Sequence, residues 1–468
     1  MRRVFVASLF LLIGVSPTLS DEAKVCGDWK NTPPDRSITS CSAAIRGNPK
    51  AKWAYLNRAN AYKEIGDNDR AIADYSEALR IDSKYALAYN GRGNAYRAKG
   101  NSDGAIADYS DAIRIDPKFV FAYNGRGNAY SDKGDNDRAI ADYNEAIRLD
   151  PKDALPHNGR GIVYANKGDR DRAIADYSEA IRLDPTSALP YNNRGNSYRD
   201  RGETDRAIAD FNEALRINPK YVIALNNRGI AYSNKGDRDR AIADYSEAIR
   251  LDPKYAFAFN NRGDDYRLKG DLDRAIPDLS EAIRLNPKYI NAYRNRGKAY
   301  RDQGDNDRAI ADYTRVIELD SNNAGLPYRT RGLIYFGQAN FANASGDFLR
   351  SIDLKDDAYA MIFRFLARSR AGENAAAELE ANAGRLKTKE WPFAVIELYL
   401  GRREPDATRD AAGKPDERCE AQFYIGEWNL LRGNRADATG ALQAALDTCP
   451  KTFIEYEAAV AEMKRLKP

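Results

Sequence analysis

Apolar and small residues recur along this chain with a helical spacing that restarts every 34 residues. Within Val120 to Asp153, Tyr123, Gly127 and Tyr130 fall at i, i+4 and i+7, and Ala139, Tyr143 and Ala146 repeat that spacing. Such triplets share one face of an α-helix, and the polar residues between them cover the rest. The two triplets are separated by Lys133-Gly134-Asp135-Asn136-Asp137. A glycine there supplies the left-handed residue that closes a helix. The acidic and amide side chains after it cap the next helix, and Pro151 stops that second helix. The pattern predicts two antiparallel helices. Gly127 and Ala139 are small enough for the helices to approach closely there, with Tyr130 and Tyr143 filling the space around the contact.

Sliding the sequence on itself by 34 aligns Gly93, Gly127, Gly161, Gly195, Gly229, Gly263 and Gly297, and likewise Ala71, Ala105, Ala139, Ala173, Ala207, Ala241, Ala275 and Ala309. Eight regular copies fill residues 52–323. A period of this size marks a solenoid, in which a unit buries its apolar face only by stacking on its neighbours. Counting places from Val120 as the first, the unit carries an aromatic at 4, Gly at 8, Tyr at 11, Ala at 20, an aromatic at 24, Ala at 27 and Pro at 32. This unit resembles the tetratricopeptide repeat (TPR). The resemblance implies an all-α fold: a right-handed superhelix (α-solenoid) of antiparallel helix pairs with terminal caps, the first helices lining a concave groove.

One departure from that family concerns charge. Place 7, usually Leu in the family, is Arg from Arg58 and Arg92 through Arg194 to Arg331, and place 23 is Asp from Asp74 and Asp108 through Asp210 to Asp347. A tenth, degenerate copy keeps Arg364 with Glu380, and the last copy loses both charges together, with Ile425 and Ala441. The co-occurrence predicts an ion pair between the helices of one repeat or between neighbouring repeats. Duplication of two solvated charges would leave the same record.

The ends differ from the array. Residues 1–20 read as a secretory signal: Arg2 and Arg3, then an apolar run from Val4 to Val15, then small residues around Thr18 to Ser20. Residues 21–51 hold a partial repeat or cap, with Ile38, Ala44 and Pro49 at places 21, 27 and 32. Residues 324–392 hold degenerate copies, and Phe365 stands in the tenth where Gly belongs. Residues 393–468 hold a Pro- and charge-rich link, a clear helical hairpin from Cys419 to Thr452, and a final helix. That helix is expected to act as a cap with Phe453, Tyr456, Val460 and Met463 on its buried face. Export gives the four cysteines meaning, because disulfides persist in oxidising compartments. Cys26 and Cys41 flank the first half-unit, and Cys419 and Cys449 stand at places 1 and 31 of the last copy. The expected bonds are Cys26–Cys41 and Cys419–Cys449, each stapling a terminal unit.

The tail carries a second resemblance. The strings WPFAVIELYLGRREPD, CEAQFYIGEWNLLRGN and FIEYEAAVAEMKRL are similar to the C-terminal part of new lipoprotein I, a bacterial outer-membrane TPR lipoprotein that acts as an adaptor for murein hydrolases and an envelope protease. The likeness implies a protein partner and homodimerisation. The chain lacks that family's lipid-anchor cysteine.

Chemistry that would make an enzyme is missing from the pattern. The single histidine, His157, sits at place 4, a packing place, and no HExxH or CxxC spacing occurs. Carboxylates recur in every copy, as duplication produces and a unique active site does not. No catalytic residue, cofactor or metal is expected.

The first-helix groove is the expected binding surface. Place 5 is Asn90, Asn124, Asn158, Asn192, Asn226 and Asn260, and place 6 adds Asn193, Asn227 and Asn261. Place 2 is apolar, including Phe121 and Phe257. These places face away from the 4-8-11 stripe. A side-chain amide both donates and accepts, so it can pair with any peptide group. The arrangement resembles the asparagine ladder of the TPR superhelix in O-linked N-acetylglucosamine transferase. Nucleic acid fits less well: the formal charge is +4 and falls to +2 without Arg2 and Arg3, and no continuous basic stripe follows the array. The reading is an exported, non-catalytic adaptor for other proteins or peptides in the cell envelope, with no membrane span after signal removal. A chaperone-like holder of unfolded segments is the alternative.

Overall fold

Each regular repeat folds as its pattern dictates. In the third copy the helices span Val120–Asp132 and Asn136–Leu149. Gly134 between them takes φ of 77°, a left-handed value that would strain any other residue. Asp135 then accepts a hydrogen bond from the backbone of Arg138 at 3.3 Å, capping the second helix. Ala139 and Ala146 are fully buried and Tyr143 is nearly so. A Cβ on Gly127 would meet the Tyr143 ring at 2.9 Å, so the glycine is the condition for the aromatic packing. The computed structural model describes residues 19–466, and the expected signal lies almost wholly outside them. The described residues form 27 α-helices and no strand. None of these helices is long and apolar enough to cross a membrane. The chain forms two compact units, one ending at Ala231 and the other starting at Tyr232.

The first unit begins with a half-length hairpin. The partial repeat does have a first helix, Leu19–Gly27, ahead of Pro34–Gly47, where the sequence pattern was too weak to predict one. The disulfide Cys26–Cys41 joins the two. Asn57 donates to the carbonyl of Cys26 at 3.0 Å and ties this stapled cap to the first full repeat.

In the first unit the recurrent Arg and Asp form an ion pair within one repeat, from Arg58–Asp74 to Arg194–Asp210. Arg92 Nε and Nη2 bind both oxygens of Asp108 at 2.8 Å, and its Nη1 reaches Ser76 of the preceding repeat at 3.0 Å. The same three contacts recur for Arg126 with Asp142 and Ser110, and for Arg194 with Asp210 and Ser178. One guanidinium therefore closes its own hairpin and fastens it to the one before. His157 is a packed residue beside this system: it is buried, with Nδ1 3.6 Å from Asp176.

In the second unit the ladder continues through Arg262–Asp278, Arg296–Asp312 and Arg331–Asp347. The tenth copy departs from expectation. Arg364 pairs with Glu378 at 2.9 Å instead of Glu380, which binds Arg402. Phe365, in place of glycine, stacks on Tyr399 at 5.1 Å. The second helix is short, Ala376–Ala383. The stretch expected to be a link contains the helices Phe393–Tyr399 and Pro405–Asp410, and Val395, Ile396 and Leu398 are fully buried. Val395, Ile396 and Tyr399 share one core with Phe365. The regular hairpin then returns as Pro415–Leu431 and Arg435–Thr448, closed by Cys419–Cys449. Phe336, Phe348, Phe363 and Phe423 share one core here, whereas the regular repeats pack on alanine.

The last helix, Ile454–Leu466, differs from the expected cap. Its buried positions are Glu455, Ala458, Ala459 and Glu462, while Phe453, Tyr456, Val460 and Met463 are only half-buried. It packs on Arg435–Thr448, on the ninth copy's first helix, Gly325–Gly337, and on Pro415–Leu431, which leaves only Glu457 and Lys464 exposed. Arg465 donates from Nη2 to the carbonyls of Phe336 and Gly337 at 2.7 and 2.6 Å.

Candidate binding face of the first helices

Side chains at place 2 stand out into solvent at the start of each first helix. In the first unit Leu87, Phe121, Leu155, Leu189 and Ile223 are exposed, Phe121 most of all at 61%. In the second unit Phe257 and Leu326 follow the same rule. The aromatics at place 34 lean on them. Phe119 meets Phe121 edge-on at 6.0 Å, and Phe257 lies between Tyr255 at 5.5 Å and Tyr289 at 5.2 Å. Scattered apolar residues on a surface are ordinary, but one at the same place in each of copies two to six makes an apolar line along the first unit; the eighth copy has Asn291 at that place.

The asparagines occupy a different position from the one expected. Asn158, Asn192, Asn226, Asn260 and Asn227 are buried, Asn192 to 3% exposure. They bond mainly to each other across the repeat seams. Asn193 Nδ2 donates to Asn158 Oδ1 at 3.1 Å, and Asn227 Nδ2 donates to Asn192 Oδ1 at 3.0 Å. In the second unit Asn295 donates to Asn260 at 3.1 Å, and Asn260 to Asn261 at 3.0 Å. The place-6 amide of each repeat thus reaches the place-5 amide of the repeat before. Buried amides need such partners, because leaving one unpaired costs its full desolvation.

Earlier in the first unit this zipper is absent, and the reason is visible in the sequence. Place 6 is Gly91, Gly125 and Gly159 there, so no donor faces the place-5 amide. The Oδ1 atoms of Asn90 and Asn124 are buried with no hydrogen-bond partner among the described residues. A tyrosine fills the seam instead. Tyr109 donates its hydroxyl to Asn94 at 2.7 Å, and a Cβ on Gly125 would lie 2.6 Å from its ring. Burial pushes the Tyr109 hydroxyl far above its ordinary value, so it stays protonated as a donor.

Charge on this face is mostly paired between repeats, as in Arg97 with Asp132 at 2.6 Å and Arg267 with Asp302 at 3.1 Å. In the second unit the paired Arg267 stands beside further cations. Arg267, Arg294, Lys298 and Arg301 come together, and burial lowers the Lys298 ammonium from its ordinary value, with the three arginines adding to the effect and Asp264 opposing it. Sequence reasoning passed over this cluster because its members sit at three different places of two copies.

Sequence reasoning also missed a ladder of buried carboxylates. Glu420 and Glu427 on Pro415–Leu431 face Glu455 and Glu462 on the last helix, each pair spaced i, i+7. Arg370 bridges Glu427 and Glu462 at 3.1 and 3.0 Å, and Arg465 adds a second contact to Glu462. Glu420 accepts from Tyr359 at 2.9 Å and Trp391 at 2.7 Å, and Glu455 accepts from Tyr424 at 2.8 Å. Burial, with Glu420 nearby, pushes the Glu455 carboxyl up to about 7. Burial, with Glu462 beside it, pushes Glu427 well above the carboxylate range despite Arg370. The signal available was four glutamates set among apolar residues. Among the described residues no cluster could hold a metal ion.

Stacked hairpins with an apolar line along one set of helices define a helical-repeat protein of the kind that serves as a protein-binding scaffold, a fold that is typically non-catalytic. The chain belongs to the tetratricopeptide repeat family. The TPR repeat profile matches residues 59–100, 93–134, 127–168, 166–198, 195–236 and 263–301, and the Tetratricopeptide repeat profile matches 222–255 and 290–323, together more than half of the chain. Among solved structures, a tetratricopeptide repeat protein from Parabacteroides merdae ATCC 43184 is 19% identical over 53% of this chain and 98% of that one, with a TM-score of 0.43. MamA is 29% identical over 37% and 95%, with a TM-score of 0.32. YrrB, a TPR protein with an unusual peptide-binding site, is 26% identical over 40% and 95%, with a TM-score of 0.31.

Proposed function

We propose that the chain is a non-catalytic scaffold of the bacterial cell envelope that holds an extended segment of a partner protein along its first-helix groove. The observation that carries this reading is the exposed apolar line at place 2, from Leu87 through Phe121, Leu155 and Leu189 to Ile223. An extended peptide laid across it would set side chains between successive apolar residues, one contact per repeat. The buried asparagines behind this line hold the wall of the groove. The signal-like residues 1–20 and two disulfides support export, since disulfides persist in oxidising compartments. The likeness of the tail to new lipoprotein I supports an adaptor role.

The test is affinity capture from envelope extract with the mature protein, beside a variant carrying Phe121→Ser, Leu155→Ser and Leu189→Ser. These side chains are exposed, so circular dichroism should match the parent. Capture of one or a few partners at fixed stoichiometry by the parent, lost in the variant, is the expected result. Equal capture by both overturns the groove reading. Weak capture of many unrelated chains would favour a holder of unfolded segments.

A further inference from the structure

The last helix covers part of the face that the other repeats leave open. Ile454–Leu466 lies against Gly325–Gly337 at Thr330, Leu333 and Gly337, which are places 6, 9 and 13 of the ninth copy, and it reaches Arg301 at place 12 of the eighth. On that face it makes few direct polar contacts. Arg465 binds the Phe336 and Gly337 carbonyls, and Glu457 stands 3.6 Å from Arg301. A cleft of about 640 Å³ remains between the helix and the eighth and ninth copies, with Leu333, Ile334, Tyr456 and Val460 among its walls. On its other side the helix is anchored through Glu462, which Arg370 ties to Glu427, and through Glu455, which accepts from Tyr424.

The neighbouring surface is more basic than this occupant uses. Arg267 is paired with Asp264 and Asp302, and Arg301 Nε meets Glu457 of the last helix at 3.6 Å, too far for a hydrogen bond. Lys298 has no ion-pair or hydrogen-bond partner among the described residues, and the Nε atom of Arg294 is buried without one. A helix with one more acidic turn would satisfy groups that the resident helix leaves unpaired. Buried unpaired donors are costly, so their satisfaction is a gain available to a better-matched ligand.

We propose that the first-helix face of the eighth and ninth copies is a docking site for an amphipathic acidic helix of a partner protein, filled in the isolated chain by its own last helix. This rests on the reading of the first-helix face as the binding surface. Recognition is by helix in groove: apolar residues enter the cleft beside Leu333 and Ile334, and carboxylates face Arg301, Lys298 and Arg294. A tethered occupant competes at high effective concentration. The apparent affinity for a free helix therefore falls by the fraction of time the site is open.

The probe is a fluorescein-labelled synthetic peptide of residues 452–466, titrated into the full chain by anisotropy. Arg465→Ala removes the clasp on the ninth copy and should tighten peptide binding about tenfold. Adding Arg301→Glu to that variant should weaken it again about tenfold. Equal binding by parent and Arg465→Ala, or no binding by either, overturns the proposal. Hydrogen exchange on the unaltered chain needs no variant. Excess peptide should speed exchange of the tethered 454–466 and leave the hairpin 415–448 unchanged; protection that stays the same in 454–466 overturns the proposal. Capture through Phe121, Leu155 and Leu189 does not involve Arg465 or Arg301, so failure here leaves the groove reading standing, and failure there leaves the peptide result interpretable.

Discussion

Arg194 grips both carboxylate oxygens of Asp210 at 2.8 Å and touches Ser178 of the preceding repeat with its third nitrogen at 2.9 Å. The aspartate is buried and the arginine side chain keeps 19% of its surface in water. Removing one partner strands the other. Asp210→Asn should cost about 3 kcal/mol in denaturant melts, the low end for breaking a buried pair. Ser178→Ala should cost about 1 kcal/mol. A double-mutant cycle between Arg194 and Asp210 should show coupling; additive effects would mean that the pair contributes nothing beyond its two parts.

The two classes of asparagine should separate in mutation. Asn192→Ala breaks the bond from Asn227 and should lower stability by about 1–2 kcal/mol, with partner capture unchanged. Asn124→Ala removes an amide whose buried oxygen has no partner to lose, so stability should hold, again with capture unchanged. A loss of capture in Asn192→Ala without a loss of stability would show that the zipper meets the ligand.

Stability of the C-terminal region should depend on pH through its buried glutamates. Glu455 is faced by Tyr424, Glu420 and, at longer range, Arg329; Glu427 is faced by Glu462, Arg370, Arg465 and Tyr399. Both carboxyls are raised, so the folded state holds protons that the unfolded state gives up. Their contribution is complete below an unfolded carboxyl pKa of about 4.3 and is lost as pH rises through about 7 for Glu455 and higher still for Glu427. Hydrogen-exchange protection in residues 454–466, corrected for the intrinsic rise of exchange with pH, should therefore fall between pH 6 and pH 8.5. Glu455→Gln with Glu427→Gln, which cannot ionise, should flatten that dependence.

Reduction should loosen both ends. The disulfides close loops of 15 and 30 residues, for which chain entropy predicts about 3–4 kcal/mol each. The unfolded, unreduced protein should yield no free thiol, and the reduced protein four. Thiols titrating without reductant would contradict the pairing.

The hairpin, the period and the two cysteine pairs were legible because each is set by residues within one or two neighbouring units. A helical wheel of one repeat contains Gly127 facing Tyr143, and it contains Arg126 beside Asp142. It does not contain the angle between successive repeats. That angle carries Asn158 and Asn192 from an open face into a seam. Phe365 signalled an irregular copy, but not that Val395 and Ile396 would join its core. The orientation of the last helix was beyond local reading for the same reason. Arg465 meets a carbonyl 129 residues away, and the apolar count along Ile454–Leu466 favoured a face that packing on three helices overrides.

The change from glycine to asparagine at place 6 acts as an address. Near-identical units invite wrong neighbours, since a hairpin could dock on any other and find its usual contacts. A Cβ at Gly91, Gly125 or Gly159 would fall within 2.6 Å of the ring of Tyr75, Tyr109 or Tyr143 as these rings now stand, whereas Tyr177 stays buried before a copy that carries Asn193. A hairpin bearing Asn193 or Asn227 would have to shift those early rings, and one bearing Gly125 brings no amide to Asn158 or Asn192. Two unlike joints, used in sequence, give a chain of copies a reading direction and favour each repeat's own neighbour over its duplicates.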